Sequence, residues 1–454
     1  MLVHICCSVD SHYFLSELQK IYPSENLIGF FYNPNIHPKA EHDLRLQDVR
    51  RSCEMLGVNL IEGRYDVDNW LEGVRGLEDA PEKGERCVSC FDIRLEKSAE
   101  LATQIGETKF TSTLLASPMK EQEILYVQGD IIAKKHSLDF VKINIRSNGG
   151  VNKQNALAKK DNLYRQNYCG CKYALEKQRE KQGRYSLEMM SDIGKRALPA
   201  SIEERSEIFA KRDALEKHSK RYILTQRKKR IYRMLTHKLS LNGVAISNYV
   251  LAHSESKRTK IENLTWVKIF IDSTRGVGGV DIDFDLSANI DSMTRFYDKY
   301  LQESKKAHSN KHIAQKDTSK ISLAQKHTAI TIGISNKDDS MFLPLRSFNA
   351  IASTTYNTVS ELIYNPIAYE KELELRTRLC GYESLNPIVV VDDWALSKLD
   401  FLGGDTKHSD MSMQDNLAKQ ALPNSTNTQT KSQLMLHIES FFQDEKVFEV
   451  VEIL

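Results

Sequence analysis

A chain of 454 residues, 41% hydrophobic and 27% charged, is long enough for two or three domains and has the composition of a soluble protein. It has no run of about 18 apolar residues, which a membrane-spanning helix needs, and no secretory signal pattern at its start. Its net charge of +2 excludes no class of partner. We therefore expect a cytoplasmic protein without membrane contact, in which close cysteine pairs favour metal or redox chemistry over structural disulfides.

Residues 1–150 show alternating strand and helix patterns. Short apolar runs and helical spacing predict strands at Leu2–Ile5, Leu27–Tyr32, Val58–Ile61, Lys109–Leu115 and Leu138–Ile143, and helices at Tyr13–Tyr22, Ala40–Leu56, Val67–Val74, Cys90–Ile105 and Lys120–Lys135. This alternation is typical of an α/β fold with a parallel sheet and helices on both faces. The active sites of such sheets lie at the carboxyl edge of the strands, which is where we expect Cys6-Cys7.

A basic segment follows the α/β part of the chain. Residues 200–240 have helical spacing, and Ser201 with Glu204 fits a capping box. From Lys217 to Lys238 the sequence has nine lysines and arginines and no acid. We predict a basic helical segment over residues 186–240 that contacts the phosphate backbone of a nucleic acid; a plain solvated face is the alternative.

Residues 241–454 predict an α+β extension without a chemical motif. The predicted strands are Trp266–Ile271, Val280–Phe284, Ala329–Ile334, Pro387–Val391 and Val447–Ile453, with a helix at Ala288–Glu303. Two polar segments, Lys305–His327 and Thr406–Gln433, have the composition of disordered loops. The sequence alone therefore assigns no role to this half of the chain.

Three close cysteine pairs carry the chemistry: Cys6-Cys7, Cys87-Val88-Ser89-Cys90 and Cys169-Gly170-Cys171. Such pairs, far apart in sequence, indicate one site assembled by the fold. Adjacent cysteines are awkward ligands for a single ion but can bind two irons of one cluster, and C-x-x-C at a helix start can reach one metal. Four thiolates can hold a [4Fe–4S] cluster. The alternative is a structural zinc site with four cysteine ligands.

The third pair and Asp10 leave alternatives open. Cys169 and Cys171 can add metal ligands or form a disulfide, and a disulfide between residues so close in sequence is strained and labile. The carboxylate of Asp10 lies one short turn beyond Cys7, so it can reach a metal or a substrate hydroxyl. Its alternative role is to cap a helix over Ser11–Tyr22.

Several segments together resemble the epoxyqueuosine reductases of the QueH family over residues 1 to about 180. The segments are His4-Ile5-Cys6-Cys7 with Asp10, Arg86-Cys87-Val88-Ser89-Cys90-Phe91 with Arg94, Ser112-Thr113-Leu114-Leu115 with Ser117-Pro118, and Tyr168-Cys169-Gly170-Cys171 with Tyr173. The resemblance implies a two-electron removal of the epoxide oxygen from epoxyqueuosine at the wobble base of tRNA, which gives queuosine. It implies partners of two kinds, tRNA carrying epoxyqueuosine and an electron donor that the sequence does not identify.

The same resemblance implies roles for the cysteines. Cys6, Cys7, Cys87 and Cys90 would bind a [4Fe–4S] cluster, and Cys169 and Cys171 would form a redox pair. A different division is also compatible with it, in which Asp10 and some of the cysteines hold an additional mononuclear iron beside the cluster.

The predicted fold is similar to the PP-loop (adenine nucleotide α-hydrolase-like) fold. The S-G-G-x-D-S loop of that family binds ATP pyrophosphate, but here the stretch is Cys6-Cys7-Ser8-Val9-Asp10-Ser11. Both glycines are replaced, so we predict a retained scaffold that has lost ATP binding. The predicted organisation is an iron–sulfur reductase domain over 1–185, the basic segment over 186–240 and the extension over 241–454. The competing functions are a PP-loop tRNA thiolation enzyme with a cluster and a zinc-dependent RNA-binding module.

Overall fold

The computed structural model describes residues 1–272, 283–284, 327–381, 383–395 and 433–453. The chain forms two compact units. The first comprises residues 1–191, 197–229 and 444–454, and the second comprises residues 192–196 and 230–443. No helix among the described residues is long and apolar enough to cross a membrane.

A five-stranded parallel sheet forms the centre of the first unit. Its elements, in chain order, are β1 (Leu2–Ile5), α1 (Ser8–Ile21), β2 (Ile28–Phe31), α2 (Lys39–Leu56), β3 (Asn59–Glu62), α3 (Val67–Gly73), α4 (Glu85–Gln104), β4 (Lys109–Ser112), α5 (Gln122–His136), β5 (Asp139–Phe140), α6 (Gly150–Lys160), α7 (Lys172–Lys181) and α8 (Ile202–Lys217). The strand order is β3-β2-β1-β4-β5, with every pair parallel. The predicted α/β class with a parallel sheet is confirmed.

The strand order places a topological switch point between β1 and β4. The chain runs outward from β1 through β2 and β3, and then returns to the other side of β1 as β4. Right-handed crossovers put α1 and α2 on one face of the sheet and α4 and α5 on the other. All four residues of β1 are buried, because helices cover both faces of the sheet. Ligands of such sheets bind outside the carboxyl ends of the strands at the switch point.

Helix α8 is an integral part of the first unit. Both predicted capping residues are engaged at its start: the Ser201 hydroxyl accepts from the Glu204 amide at 3.1 Å, and the Glu204 carboxylate accepts from the Ala200 amide at 2.6 Å. Arg212 of α8 is fully buried and donates to the Asp48 carboxylate of α2 at 2.7 Å. Phe209 meets the ring of Tyr164 at 5.0 Å between centroids. These contacts extend the core of the unit beyond the first 180 residues.

The prediction of helix through residue 240 is wrong. Helix α8 ends at Lys217, and the basic residues that follow lie in a long strand, β6 (Tyr222–Leu241). Beta-branched and aromatic residues at both ends of the basic run favour a strand. Strand β6 pairs with β15 (Leu434–Glu452) in a four-stranded sheet that also contains β7 (Val244–Ile246) and β9 (Lys257–Ile261). The hydrogen-bond partners of the β6 backbone therefore lie far away in the sequence, and local residue spacing does not indicate them.

The second unit contains a six-stranded mixed sheet. Its order is β11-β10-β12-β13-β14-β8, with β8 (Asn248–Val250), β10 (Leu264–Asp272), β11 (Asp283–Phe284), β12 (His327–Ser335), β13 (Met341–Pro344) and β14 (Ile388–Val391). Helices Leu345–Ala352, Val359–Tyr364 and Tyr369–Cys380 follow β13. The strands predicted near Trp266, Ala329, Pro387 and Val447 are confirmed. The predicted helix Ala288–Glu303 lies outside the described residues, as do all but the last residue of both polar loops and most of the predicted strand Val280–Phe284.

Candidate functional site

All six paired cysteines line one cavity of about 390 Å³ in the first unit. The thiols are Cys6, Cys7, Cys87, Cys90, Cys169 and Cys171, and each is free. The other two cysteines, Cys53 and Cys380, do not line the cavity. The prediction that the fold assembles the three pairs at one place is confirmed, and a cavity of this volume suits a small ligand or one nucleoside.

Each cysteine pair lies at the start of a helix. Cys7 directly precedes α1, Cys87 and Cys90 lie in the first two turns of α4, and Cys171 directly precedes α7. The free amides at a helix N-terminus carry partial positive charge, which favours thiolates and other anions. The sequence predicted a helix start for the second pair only. It placed the first helix at Ser11 or Tyr13, later than Ser8, and it did not predict the start of α7.

Cys6, Cys7 and Asp10 form a compact group of three potential ligands. Their ligand atoms all lie within 4.8 Å of one another. The two Sγ atoms are 3.8 Å apart, and the Cys6 Sγ is 3.6 Å from the Asp10 Oδ2. Two thiolates on one tetrahedral metal ion lie about 3.8 Å apart when each metal–sulfur bond is about 2.3 Å. Contrary to the expectation that adjacent cysteines are awkward ligands for one ion, Cys6 and Cys7 have the spacing of ligands to a single ion.

Asp10 is held inside the site and is not a helix cap. Helix α1 begins at Ser8, so Asp10 lies within its first turn and Cys7 takes the capping position. The Gln154 amide of α6 donates to the Asp10 Oδ1 at 2.7 Å. Burial raises the pKa of Asp10, although hydrogen bonds from Cys7, Cys6 and Gln154 oppose the shift. The alternative role as cap of a helix over Ser11–Tyr22 is wrong.

The switch point of the sheet positions the first pair. The Cys6 amide donates to the Thr113 hydroxyl at 3.1 Å, and that hydroxyl lies 3.4 Å from the Cys6 Sγ. Thr113 directly follows β4, so this contact joins the carboxyl ends of β1 and β4. The Asn33 amide, which follows β2, donates to the Ile5 carbonyl at 2.8 Å. Three strand ends therefore hold the segment that carries Cys6 and Cys7.

The other four thiols interact as a second group. Cys90 and Cys171 are buried in a small apolar cluster with Trp70, and Cys169 packs against that cluster. Burial and the charge of Cys169 raise the pKa of Cys171 to about 12. Burial also raises the pKa of Cys87, and Cys169 and Cys90 contribute in the same direction. These four thiols are therefore close enough to affect one another's ionisation.

The disulfide expected between Cys169 and Cys171 is not present. Both are free thiols in the structure. Gly170 between them has a φ of +105°, and a Cβ at that position would lie 2.8 Å from Ile36. The turn thus requires glycine, and a ring closed over so few residues would be strained.

Cations outnumber carboxylates around the cavity. The lining includes Arg45, Arg86, Arg94, Lys120 and Arg165, against the acids Asp10 and Glu82. Burial disfavours the charge of Lys120, but the charges of Cys169 and Cys87 outweigh it and raise the pKa of Lys120. Arg86 is 1% exposed, and its Nε and Nη2 have no acceptor among the described residues. These cations can therefore offset the negative charge of the cavity thiols when they are ionised.

Sequence reasoning missed the residue that holds the third pair. Arg45 of α2 is buried, and its guanidinium donates to the carbonyls of Cys169 and Tyr168 at 3.2 and 3.1 Å. Its Nε donates to Glu41 at 2.7 Å, which compensates its charge. Arg45 precedes Cys169 by 124 positions, so no local pattern indicated the contact. The same holds for Gln154, which contacts Asp10.

Comparisons with known proteins identify one family. The family model described as epoxyqueuosine reductase QueH matches residues 1–177. The Helicobacter pylori epoxyqueuosine reductase QueH is 35% identical over 457 residues, covering 99% of each chain. The QueH protein of Acinetobacter baylyi is 37% identical over 194 residues, covering 42% of this chain and 88% of its own. The match to the Helicobacter pylori protein therefore includes the extension over residues 241–454.

A solved structure is also similar. The U34-tRNA thiolase NcsA from Methanococcus maripaludis, with its [4Fe–4S] cluster, matches at a TM-score of 0.27 and 17% identity, covering 48% of this chain and 67% of that one. From the family model and the full-length relative, we conclude that the chain belongs to the epoxyqueuosine reductase QueH family.

Proposed function

We propose that the protein reduces the epoxide of epoxyqueuosine at the wobble position of tRNA to queuosine. The observation that carries the proposal is the convergence of six free thiols and Asp10 on one cavity at the switch point of the sheet. In the overall reaction the epoxide oxygen leaves as water, two electrons and two protons enter, and a carbon–carbon double bond forms. The family supplies the substrate class, and the thiol-lined cavity supplies a site for electron transfer.

The donor set fits an iron–sulfur cluster together with a single iron. Thiolates are soft ligands that favour iron–sulfur clusters and zinc over hard cations. In our proposal, Cys6, Cys7 and Asp10 hold the single ion, because their spacing matches one metal. Cys87, Cys90, Cys169 and Cys171 are then available for the cluster. This is the second division that the sequence left open, and it differs from a cluster on Cys6, Cys7, Cys87 and Cys90.

The bound metals would supply the electrons and a Lewis acid for the epoxide oxygen. The protein's own residues prepare the cavity for both. The N-termini of α1, α4 and α7 offset the negative charge of the thiolates. Lys120 lies 5.7 Å from the ring centre of Phe91 and adds a positive charge near Cys87 and Cys169. Its ammonium group can also give a proton to the departing oxygen.

The competing functions fit the cavity less well. An ATP-dependent thiolation enzyme needs a phosphate-binding loop, but Ser8 donates its hydroxyl to Asp48 and the Ser11 hydroxyl donates to the Ser8 carbonyl at 3.3 Å. Those hydroxyls already have partners, and the loop lacks glycines. Structural zinc sites are closed by four ligands. Six thiols around a cavity of about 390 Å³ exceed that requirement.

An anaerobic turnover assay tests the proposed function. The protein would be reconstituted with iron and sulfide and then given epoxyqueuosine tRNA and a low-potential reductant, without ATP. We expect loss of one oxygen from the wobble nucleoside, detected by mass spectrometry after digestion of the tRNA. The same protein without metal is the control. No conversion by protein with a full metal content, or conversion that requires ATP, would contradict the proposal.

A further inference from the structure

Two amide oxygens in the cavity wall have no hydrogen-bond donor. Asn35 follows β2, is 3% exposed and lines the cavity. Its Oδ1 is buried and has no partner among the described residues. The same is true of the Oε1 of Gln166, which lines the same cavity. Leaving a buried acceptor without a donor is unfavourable, so the pair points to a ligand that supplies donors.

The orientation of the Asn35 amide is fixed by its neighbours. Its Nδ2 donates to the Cys169 carbonyl at 3.5 Å, and reversing the amide would place two oxygens against each other. Asn33, two residues earlier, is a useful contrast. Its Nδ2 donates to the Ile5 carbonyl and its Oδ1 accepts from Arg94 at 3.4 Å, so its amide is engaged at both ends. Asn33 stabilises the loop, whereas Asn35 presents an unused acceptor.

Both acceptors lie beside the third cysteine pair. Asn35 contacts the Cys169 carbonyl. Gln166 precedes Cys169 by three residues and lies between Tyr164 and Tyr168 in the sequence. The Tyr164 hydroxyl donates to Glu41 at 2.8 Å, and the Tyr168 hydroxyl donates to the His37 carbonyl. The segment that carries Gln166 is thus held at both ends. Gln166 is therefore a fixed part of the cavity wall on the side of the third cysteine pair.

We propose that Asn35 and Gln166 bind the hydroxyl groups on the ring that carries the epoxide. This inference rests on the proposed function. Epoxyqueuosine carries its epoxide on a cyclopentane ring that also has two hydroxyl groups, and each hydroxyl can donate to one amide oxygen. A site built to bind substrate hydroxyls discriminates against a substrate that lacks them, because its acceptors are then left buried and unpaired. The two residues thus distinguish the modified tRNA from the same tRNA with guanosine at the wobble position.

The test compares binding of two tRNAs to reconstituted protein in the absence of reductant. The measured quantity is the ratio of the Kd for tRNA with guanosine at the wobble position to the Kd for epoxyqueuosine tRNA. We expect Asn35→Leu and Gln166→Met each to lower this ratio about three- to tenfold, as the loss of one hydrogen bond predicts, with little change for guanosine tRNA. Gln166→Glu keeps an acceptor oxygen and should retain the ratio. Gln104→Met, at an exposed position of α4, is the matched control.

The outcomes are distinct. An unchanged ratio in both loss variants would overturn the inference, and so would an equal loss of affinity for both tRNAs, which would mean that the amides contact a part common to them. If Asn35→Leu lowers the melting temperature strongly, the two variants of Gln166 still decide. Because the assay measures binding alone, an inactive wild-type protein that keeps its preference would contradict the proposed reduction and leave this inference standing.

Discussion

Positive charge is arranged differently in the cysteine cavity and on strand β6. Arg227 and Lys228 of β6 are exposed and pair with carboxylates of β15: Arg227 with Glu449, and Lys228 with Asp444 at 2.9 Å. Around the cavity, five cations stand against two acids. The most basic stretch of the sequence is therefore partly neutralised by carboxylates, whereas the cavity cations lie among six thiols, whose ionised forms they can offset. The comparison shows that a run of basic residues in the sequence does not by itself predict an anion-binding surface, because acids on a neighbouring strand can neutralise it.

The largest expected effect is the loss of a cavity thiol. Cys87→Ser should remove most bound iron and lower kcat/KM for epoxyqueuosine tRNA by ~100-fold or more, because changes around metal ligands already cost ~10- to 100-fold. Cys380→Ser is the matched control, since Cys380 is buried in the second unit and its thiol donates to the Arg376 carbonyl at 3.3 Å. Iron analysis and single-turnover rates measure both. Equal activity in the two variants would refute the site.

A buried cation–carboxylate pair should contribute more to the free energy of unfolding than an exposed one. Arg212→Met leaves Asp48 buried without its ion pair, so we expect a loss of ~3–5 kcal/mol in the free energy of unfolding of the first unit. Urea unfolding followed by hydrogen exchange in α2 and α8 measures it. A loss under about 1 kcal/mol would show that α8 is not part of the core of this unit.

Binding of tRNA should depend on the cavity lining more than on β6. Arg165 is exposed, lines the cavity and has no carboxylate partner within the described part of the chain. Arg165→Gln should reduce the slope of log K against log salt by about 1, as expected for the loss of one phosphate contact. Lys228→Gln is the comparison, and we expect its slope to change less because Asp444 already neutralises Lys228. The reverse order would restore β6 as the nucleic-acid surface.

The smallest effect is expected on the stability of β6 itself. Arg227 is 63% exposed, and exposed ion pairs contribute only ~0–1 kcal/mol. Arg227→Gln should therefore change the free energy of unfolding by less than about 1 kcal/mol, and the change should diminish at high salt. A salt-independent loss above 2 kcal/mol in the same urea experiment would mean that the pair is part of a larger buried network.

The α/β core and the cysteine set were predictable because their signals are local. The alternation of short apolar runs and helical spacing predicts β1 to β4, and each cysteine pair is marked by its own spacing. The remaining errors come from distant partners. Strand β6 pairs with β15, which lies about 200 residues later in the sequence. Neither this strand pairing nor the acids opposite the basic run could be predicted from the local pattern, which was interpreted as a helix. Arg45, Asn35 and Gln154 contact residues more than 100 positions away, and no periodicity reports such contacts.

The central claim is that the cavity thiols hold iron for epoxide reduction. The most direct measurement is the iron, acid-labile sulfide and zinc content of protein purified without oxygen, with Cys87→Ser measured in parallel. We predict a brown protein with about four sulfides and four to five irons per chain, and little iron in the variant. A colourless protein with one zinc and no sulfide would contradict the claim.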